Sequence, residues 1–176
     1  MTNIDWRFIL IQIIGAIGYA LLSISFYRKD KRQILFMQII ANMFFTVHYS
    51  MLSGIAGAIS NVLGLITYIV IYIMDKYKLK KSKNIFSLFM ILFLLIAVIL
   101  AYENIYSILP FIAFSVAIIS FLTGDEDKIR KLGIIVAICW LVYAIVYVSY
   151  AAIVFETITL IATAVSLIKN PKEKVT

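Results

Sequence analysis

The chain alternates between long apolar runs and short segments that carry nearly all of its charge. The charged segments lie at residues 28–32, 75–84, 124–131 and 169–174. An apolar run of about 20 residues crosses the ~30 Å hydrocarbon core of a bilayer as an α-helix. The pattern therefore predicts an all-α, polytopic membrane protein with seven transmembrane helices. We place these helices at residues 8–27, 33–51, 57–74, 85–102, 105–122, 132–150 and 152–168.

The composition supports a membrane protein and argues against several kinds of functional site. Of 176 residues, 64% are hydrophobic and 14% are charged, whereas about 25% of the residues of a soluble domain are charged. The single cysteine, Cys139, and the single histidine, His48, allow no internal disulfide and no Cys/His metal site. Neither a catalytic set nor a phosphate-binding loop is visible. We expect no enzyme activity, no cofactor and no bound metal.

The basic residues predict the orientation of the chain. Seven helices put all four charged segments on one side of the membrane, with 15 of the 16 Lys and Arg residues; Arg7 alone lies on the other side. The positive-inside rule assigns the basic side to the cytoplasm, so the N-terminus is outside and the C-terminus is cytoplasmic. The net charge of +7 then reflects topology, and no nucleic-acid partner is expected.

A gapless offset of 95 residues aligns the chain with itself. It places "ISFYRKDKRQI" (24–34) on "ISFLTGDEDKI" (119–129), with a shared Ser-Phe pair and a shared Asp. The offset maps the first three predicted helices onto the last three, in the same membrane orientation. It predicts a first three-helix unit at 1–84, a linker helix at 85–102 and a second unit at 103–176.

One stretch carries a family resemblance. "QIIANMFFTVHYSMLSGIAGAISNVLG" (38–64), together with the preceding "SFYRKDKRQIL", resembles the YgjV family of small bacterial inner-membrane proteins, which has no settled activity. The 3+1+3 arrangement is similar to the SWEET and PQ-loop superfamily, which includes PnuC-type vitamin transporters. These resemblances imply a multi-pass protein of the bacterial inner membrane with a transporter-like fold.

The wider resemblance also implies site residues. SWEET-like proteins place an aromatic residue late in the second helix of each unit and an Asn in the third, and Phe45 and Asn61 match these positions. The 95-residue offset carries Phe45, His48 and Asn61 onto Trp140, Tyr143 and Glu156. We expect a polar cavity between the units that orients a small neutral or cationic solute. Its predicted lining consists of Asn42, His48, Asn61, Trp140, Tyr143 and Glu156.

Two functions remain open from the sequence. A small-solute carrier or facilitator is favoured by the repeat and by Glu156, since an acidic residue at the centre of a span costs about 2.5–3.5 kcal/mol. A non-transporting scaffold or accessory subunit is favoured by the absence of hinge prolines other than Pro110. The expected partners are the lipid bilayer and a small polar metabolite. Assembly with further copies of the chain is left open.

The orientation can be tested by cysteine labelling in intact cells. We expect Asn104→Cys to react with a membrane-impermeant thiol reagent from outside, because it follows the linker helix on the side poor in basic residues. Ser82→Cys, in a basic segment, is expected to react only after permeabilisation. The reverse pattern of labelling would contradict the predicted topology.

Overall fold

The computed structural model describes residues 5–26, 31–77, 82–123 and 126–169. These residues form seven α-helices and one 3₁₀ turn, without strands, which confirms the all-α class. The helices are α1 (Trp6–Phe26), α2 (Lys31–Met51), α3 (Ile55–Lys76), α4 (Ser82–Leu100), α5 (Ile108–Thr123), α6 (Glu126–Val146) and α7 (Tyr150–Lys169). The 3₁₀ turn (Ile105–Ser107) precedes α5.

The predicted helix ends need two corrections. The sixth helix was expected to continue to residue 150, but α6 ends at Val146 and α7 already begins at Tyr150. The predicted fifth helix begins with the 3₁₀ turn, in which the Asn104 side chain accepts a hydrogen bond from the Tyr106 amide. Side-chain capping of this kind satisfies the amides at a helix start.

Membrane-spanning character differs among the helices. Three stretches of the described chain are long and apolar enough to cross a bilayer: Trp6–Ser25, Gln33–Met51 and Ile55–Met74. The other helices contain shorter apolar stretches, at Ile85–Leu100, Ile105–Ile119, Lys131–Val146 and Tyr150–Val165. The seven-span arrangement thus stays a prediction. The four charged segments lie only partly within the described residues, and the orientation also stays a prediction.

Six helices form a closed ring of neighbours. Helix α1 packs against α2, α2 against α3, α3 against α5, α5 against α6, α6 against α7, and α7 against α1. Helix α4 packs against α3 and α5. Exchanging α1, α2 and α3 for α5, α6 and α7 leaves the order of the ring unchanged. The groups α1–α3 and α5–α7 therefore meet each other twice, at α1–α7 and at α3–α5.

The interior is divided into two apolar clusters. The first is aromatic and lies among α1, α2, α3, α6 and α7, with Tyr19, Phe45, Tyr49 and Tyr143 buried in it. The second is mainly aliphatic and joins α4 to α3 and α5 through residues such as Leu94. Large apolar side chains also cover the outside of the bundle. A bilayer accommodates such a surface, which would be a liability in water.

Candidate functional site

The turn between α2 and α3 has a specific hydrogen-bonded geometry. Ser53 adopts a left-handed backbone conformation, with φ at 60°. The Gly54 amide donates to the Tyr49 carbonyl at 2.8 Å, and the Ser53 amide donates to the Ser50 carbonyl at 3.2 Å. This pair of bonds is a Schellman motif, which satisfies the last carbonyls of a helix within the chain.

The turn between α6 and α7 repeats this geometry 95 residues later. Val148 has φ at 53°, the Ser149 amide donates to the Ala144 carbonyl at 2.8 Å, and the Val148 amide donates to the Ile145 carbonyl at 3.3 Å. A left-handed conformation is unfavourable for a β-branched residue such as valine. Val148 therefore adopts it because the surrounding contacts require it. We call the end of the bundle that holds residues 52–54 and 147–149 the turn end.

The first turns of α3 and α7 are capped by different groups. In α7, the Ser149 hydroxyl accepts a hydrogen bond from the Ala152 amide at 3.4 Å. In α3 the equivalent of Ser149 is Gly54, which has no side chain. There the Tyr143 hydroxyl, from the other group of helices, accepts from the Gly57 amide at 2.8 Å. A Cβ atom at Gly54 would lie 2.9 Å from this hydroxyl. The tyrosine thus occupies the place of a capping side chain.

His48 makes the corresponding contact in the opposite direction. Its Nδ1 lies 2.8 Å from the Ile11 carbonyl, and its Nε2 lies 2.7 Å from the Ser149 hydroxyl. A carbonyl oxygen only accepts, so Nδ1 carries the hydrogen, and in the neutral ring Nε2 accepts from Ser149. The ring packs on Gly15, where a Cβ would lie 2.7 Å from it.

The two contacts form a reciprocal clasp. We use this name for the His48–Ser149 and Tyr143–Gly57 hydrogen bonds. His48 and Tyr143 are 95 residues apart and are both fully buried. Each lies near the end of α2 or α6 and holds the start of the third helix of the other group. Gln12 of α1 adds a brace, because its amide donates to the Val148 carbonyl at 2.9 Å.

Aromatic rings continue from the clasp into the bundle. Tyr49 lies 5.6 Å from Trp140 and 5.4 Å from Tyr143, measured between ring centroids. On the other side Tyr19 lies 4.5 Å from both Phe45 and Phe155. Rings at these separations attract each other beyond the area they bury. The aromatic residues therefore form a dense core between the two groups of helices.

A polar centre lies within this aromatic core. The Tyr49 hydroxyl is buried and has no hydrogen-bond partner of good geometry among the described residues. Its polar neighbours are the hydroxyls of Tyr19 and Ser149 and the carboxylate of Glu156. Leaving a buried hydroxyl unpaired costs about 1–3 kcal/mol. We call the group formed by Tyr19, Tyr49 and Glu156 the Tyr49–Glu156 centre.

The asparagines satisfy themselves within their own helices. The Asn42 amide donates to the Gln38 carbonyl and the Asn61 amide to the Gly57 carbonyl, each at 2.8 Å. Asn61 is buried one helical turn after Gly57, beside the clasp. Asn42 lies farther from the clasp, and its side-chain oxygen would be 2.7 Å from a Cβ at Gly64.

The predicted site residues therefore separate into three situations. His48, Tyr143 and Trp140 lie together at or beside the clasp, Glu156 adjoins Tyr49, and the two asparagines are bonded locally. None of the six lines the open groove of about 660 Å³ between α1 and α7, of which Tyr19 forms part of the wall. The cavity between the units stays a prediction. Tyr19 and Tyr49 are additions to the predicted site.

A helical bundle with an apolar exterior and buried polar groups is the architecture of an integral membrane protein. Residues 9–174 match the model of the Imp-YgjV family, described as "Bacterial inner membrane protein". The chain belongs to this family, as the resemblance at residues 38–64 predicted. No curated protein and no solved structure matches the chain.

The clasp predicts that replacement by alanine affects stability differently at two helix glycines, Gly57 and Gly133. A Cβ at Gly57 would lie 2.5 Å from the Tyr143 ring, whereas a Cβ at Gly133 would meet nothing within 4 Å. We expect Gly57→Ala to lower the free energy of unfolding by about 1–3 kcal/mol through overpacking. Gly133→Ala is the matched control and is expected to be neutral or to stabilise by up to ~1 kcal/mol. Thermal unfolding of the purified variants in detergent measures both.

Tyr143→Phe tests the hydrogen bond alone. It keeps the ring and leaves the Gly57 amide without an acceptor, at an expected cost of about 1–3 kcal/mol. If Gly57→Ala and Tyr143→Phe both unfold at the temperature of the unmodified protein, the clasp does not stabilise this fold.

Proposed function

We propose that the protein is a small-solute carrier or facilitator of the bacterial inner membrane, built from two parallel three-helix repeats joined by α4. The repeat is supported by the two turns, which have the same hydrogen bonds and the same left-handed residue at an offset of 95. It is also supported by the ring order of the helices, which is unchanged when the two groups are exchanged. Two like units around a shared interior are typical of secondary transporters, including the SWEET and PQ-loop proteins that this arrangement resembles.

The distribution of hydrogen bonds between the units is the observation that carries the proposal. Between described residues of the two units, hydrogen bonds join His48 to Ser149, Tyr143 to Gly57, and Gln12 to Val148 and Ala151. All of them lie at the turn end. A pair of units that are hydrogen-bonded to each other at one end is suited to rocking about the shared interior.

The predicted orientation indicates on which side of the membrane the hydrogen bonds between the units lie. The 15-to-1 partition of basic residues assigns the turn end to the outer side of the membrane. The clasp then closes the outer side, and a solute would reach the interior from the cytoplasmic side. Transport in either direction requires the clasp to open. We infer that His48 and Tyr143 act in closure, whereas Asn42, Asn61, Trp140 and Glu156 are the candidates for solute contact.

A transport assay tests the proposal. Ligand-induced thermal stabilisation across a metabolite library first identifies a solute, since a ligand that binds only the folded protein raises its stability. We then expect Glu156→Gln, which keeps the shape and removes the charge, to reduce uptake into liposomes at least about tenfold, equivalent to ~1.4 kcal/mol. Asn61→Ala is expected to act in the same direction.

Glu103→Gln is the matched control. Glu103 is exposed and accepts a hydrogen bond from the Tyr147 hydroxyl, outside the proposed solute path. Its replacement is expected to leave uptake unchanged. If uptake survives both Glu156→Gln and Asn61→Ala, or if no member of the library is carried, the carrier proposal fails. The protein would then be a membrane scaffold or accessory subunit, in which the clasp serves only to fix the bundle.

A further inference from the structure

The Tyr49 hydroxyl lacks the partner that a buried polar group ordinarily has. Tyr49 is 1% exposed, and its hydroxyl has no hydrogen bond of good geometry to any described residue, although the hydroxyls of Tyr19 and Ser149 lie near enough for weak ones. Buried polar atoms of native proteins are nearly always paired, and an exception calls for a specific explanation such as an additional bound species. The neighbouring groups indicate what this species would have to offer.

Glu156 is the charged neighbour of this hydroxyl. It lies on α7, is 7% exposed, and has no charged side chain beside it among the described residues. The described lysine and arginine side chains, Arg7, Lys76 and Lys131, are all exposed. His48 already has partners at both ring nitrogens. A positively charged group is the partner that stabilises an ionised carboxylate at a buried position, so an organic cation suits this place.

The remaining neighbours also suit a cation. Tyr19 of α1 and Tyr49 of α2 both lie close enough to Glu156 to interact with it electrostatically. Trp140 of α6 stacks on Tyr49. Phenol oxygens accept hydrogen bonds, and tyrosine and tryptophan rings attract cations to their faces. One carboxylate, two phenol oxygens and several rings thus converge from α1, α2, α6 and α7.

We propose that the Tyr49–Glu156 centre binds the ammonium group of a small organic cation. The ammonium hydrogens would donate to the Glu156 carboxylate and to the Tyr49 oxygen, and the organic part would lie among the aromatic rings. Tyr19 also forms part of the wall of the groove between α1 and α7, so movement of its ring toward the groove would make room for the ligand. As an assignment of substrate class, this inference rests on the carrier function proposed above.

Binding can be measured without any transport assay. We would titrate the purified protein with propylammonium chloride, with 1-propanol as a neutral probe of the same chain length and with sodium chloride at equal ionic strength. At ten times its dissociation constant, propylammonium is expected to raise the unfolding midpoint by about 3–6 °C. Neither 1-propanol nor sodium chloride should do so. An equal response to 1-propanol would overturn the assignment of a cation.

Three variants locate the binding. Glu156→Gln should abolish the response to propylammonium, and Tyr49→Phe, which removes only the unpaired hydroxyl, should weaken binding about tenfold. Glu103→Gln keeps the same chemical change at an exposed carboxylate outside the centre and should respond like the unmodified protein. If Glu156→Gln and Tyr49→Phe still respond fully, the ammonium does not bind at this centre, whatever its affinity elsewhere.

Uptake of radiolabelled propylammonium into liposomes separates this inference from the carrier function. Specific binding without uptake supports the cation site and contradicts its use in transport. Uptake of a neutral solute, in a protein that does not respond to propylammonium, supports a carrier and overturns the cation assignment.

Discussion

The amides in the first turns of α3 and α7 are buried, so they must find their hydrogen-bond acceptors inside the protein. This constraint explains much of the arrangement at the turn end. Helix α7 meets it with its own serine, and α3 meets it with a tyrosine hydroxyl from α6. The capping serine is in turn bonded to a histidine from α2. Satisfying two helix starts thus also fastens the two groups of helices together.

The hydrogen bond from α3 to the Tyr143 hydroxyl explains why the chain has glycine at two positions near the start of α3. Because the Tyr143 hydroxyl lies where a side chain at position 54 would begin, this position is a glycine, whereas its equivalent 95 residues later is the serine at 149. The Tyr143 ring similarly requires glycine at position 57. The two turns therefore share a geometry while the residues that cap the following helices differ: His48 in the first group of helices corresponds to Tyr143 in the second.

The sequence predicted the elements better than their ends and contacts. Apolar periodicity and charge were sufficient to predict the helices. The end of α6 at Val146 was missed because the left-handed residue that follows is a valine, and not the glycine that usually marks such a cap. Tyr49 was not among the predicted site residues, and only the folded arrangement reveals that its hydroxyl lacks a well-formed hydrogen bond. The asparagines were predicted to line a cavity, which stays a prediction, and the structure adds that their amides donate to carbonyls of their own helices. Whether a polar group is satisfied is decided in three dimensions.

Asn61 and Glu156 are related by the 95-residue offset, but their side chains differ in their hydrogen-bonding capacity. The amide of Asn61 donates to the carbonyl four residues before it, within its own helix. An ionised carboxylate has no hydrogen to donate, so in that form Glu156 cannot make the same bond; it lies near Tyr19 and Tyr49. In the proposed binding mode, a cation would lie among α1, α2, α6 and α7, and its release would depend on the contacts between these helices.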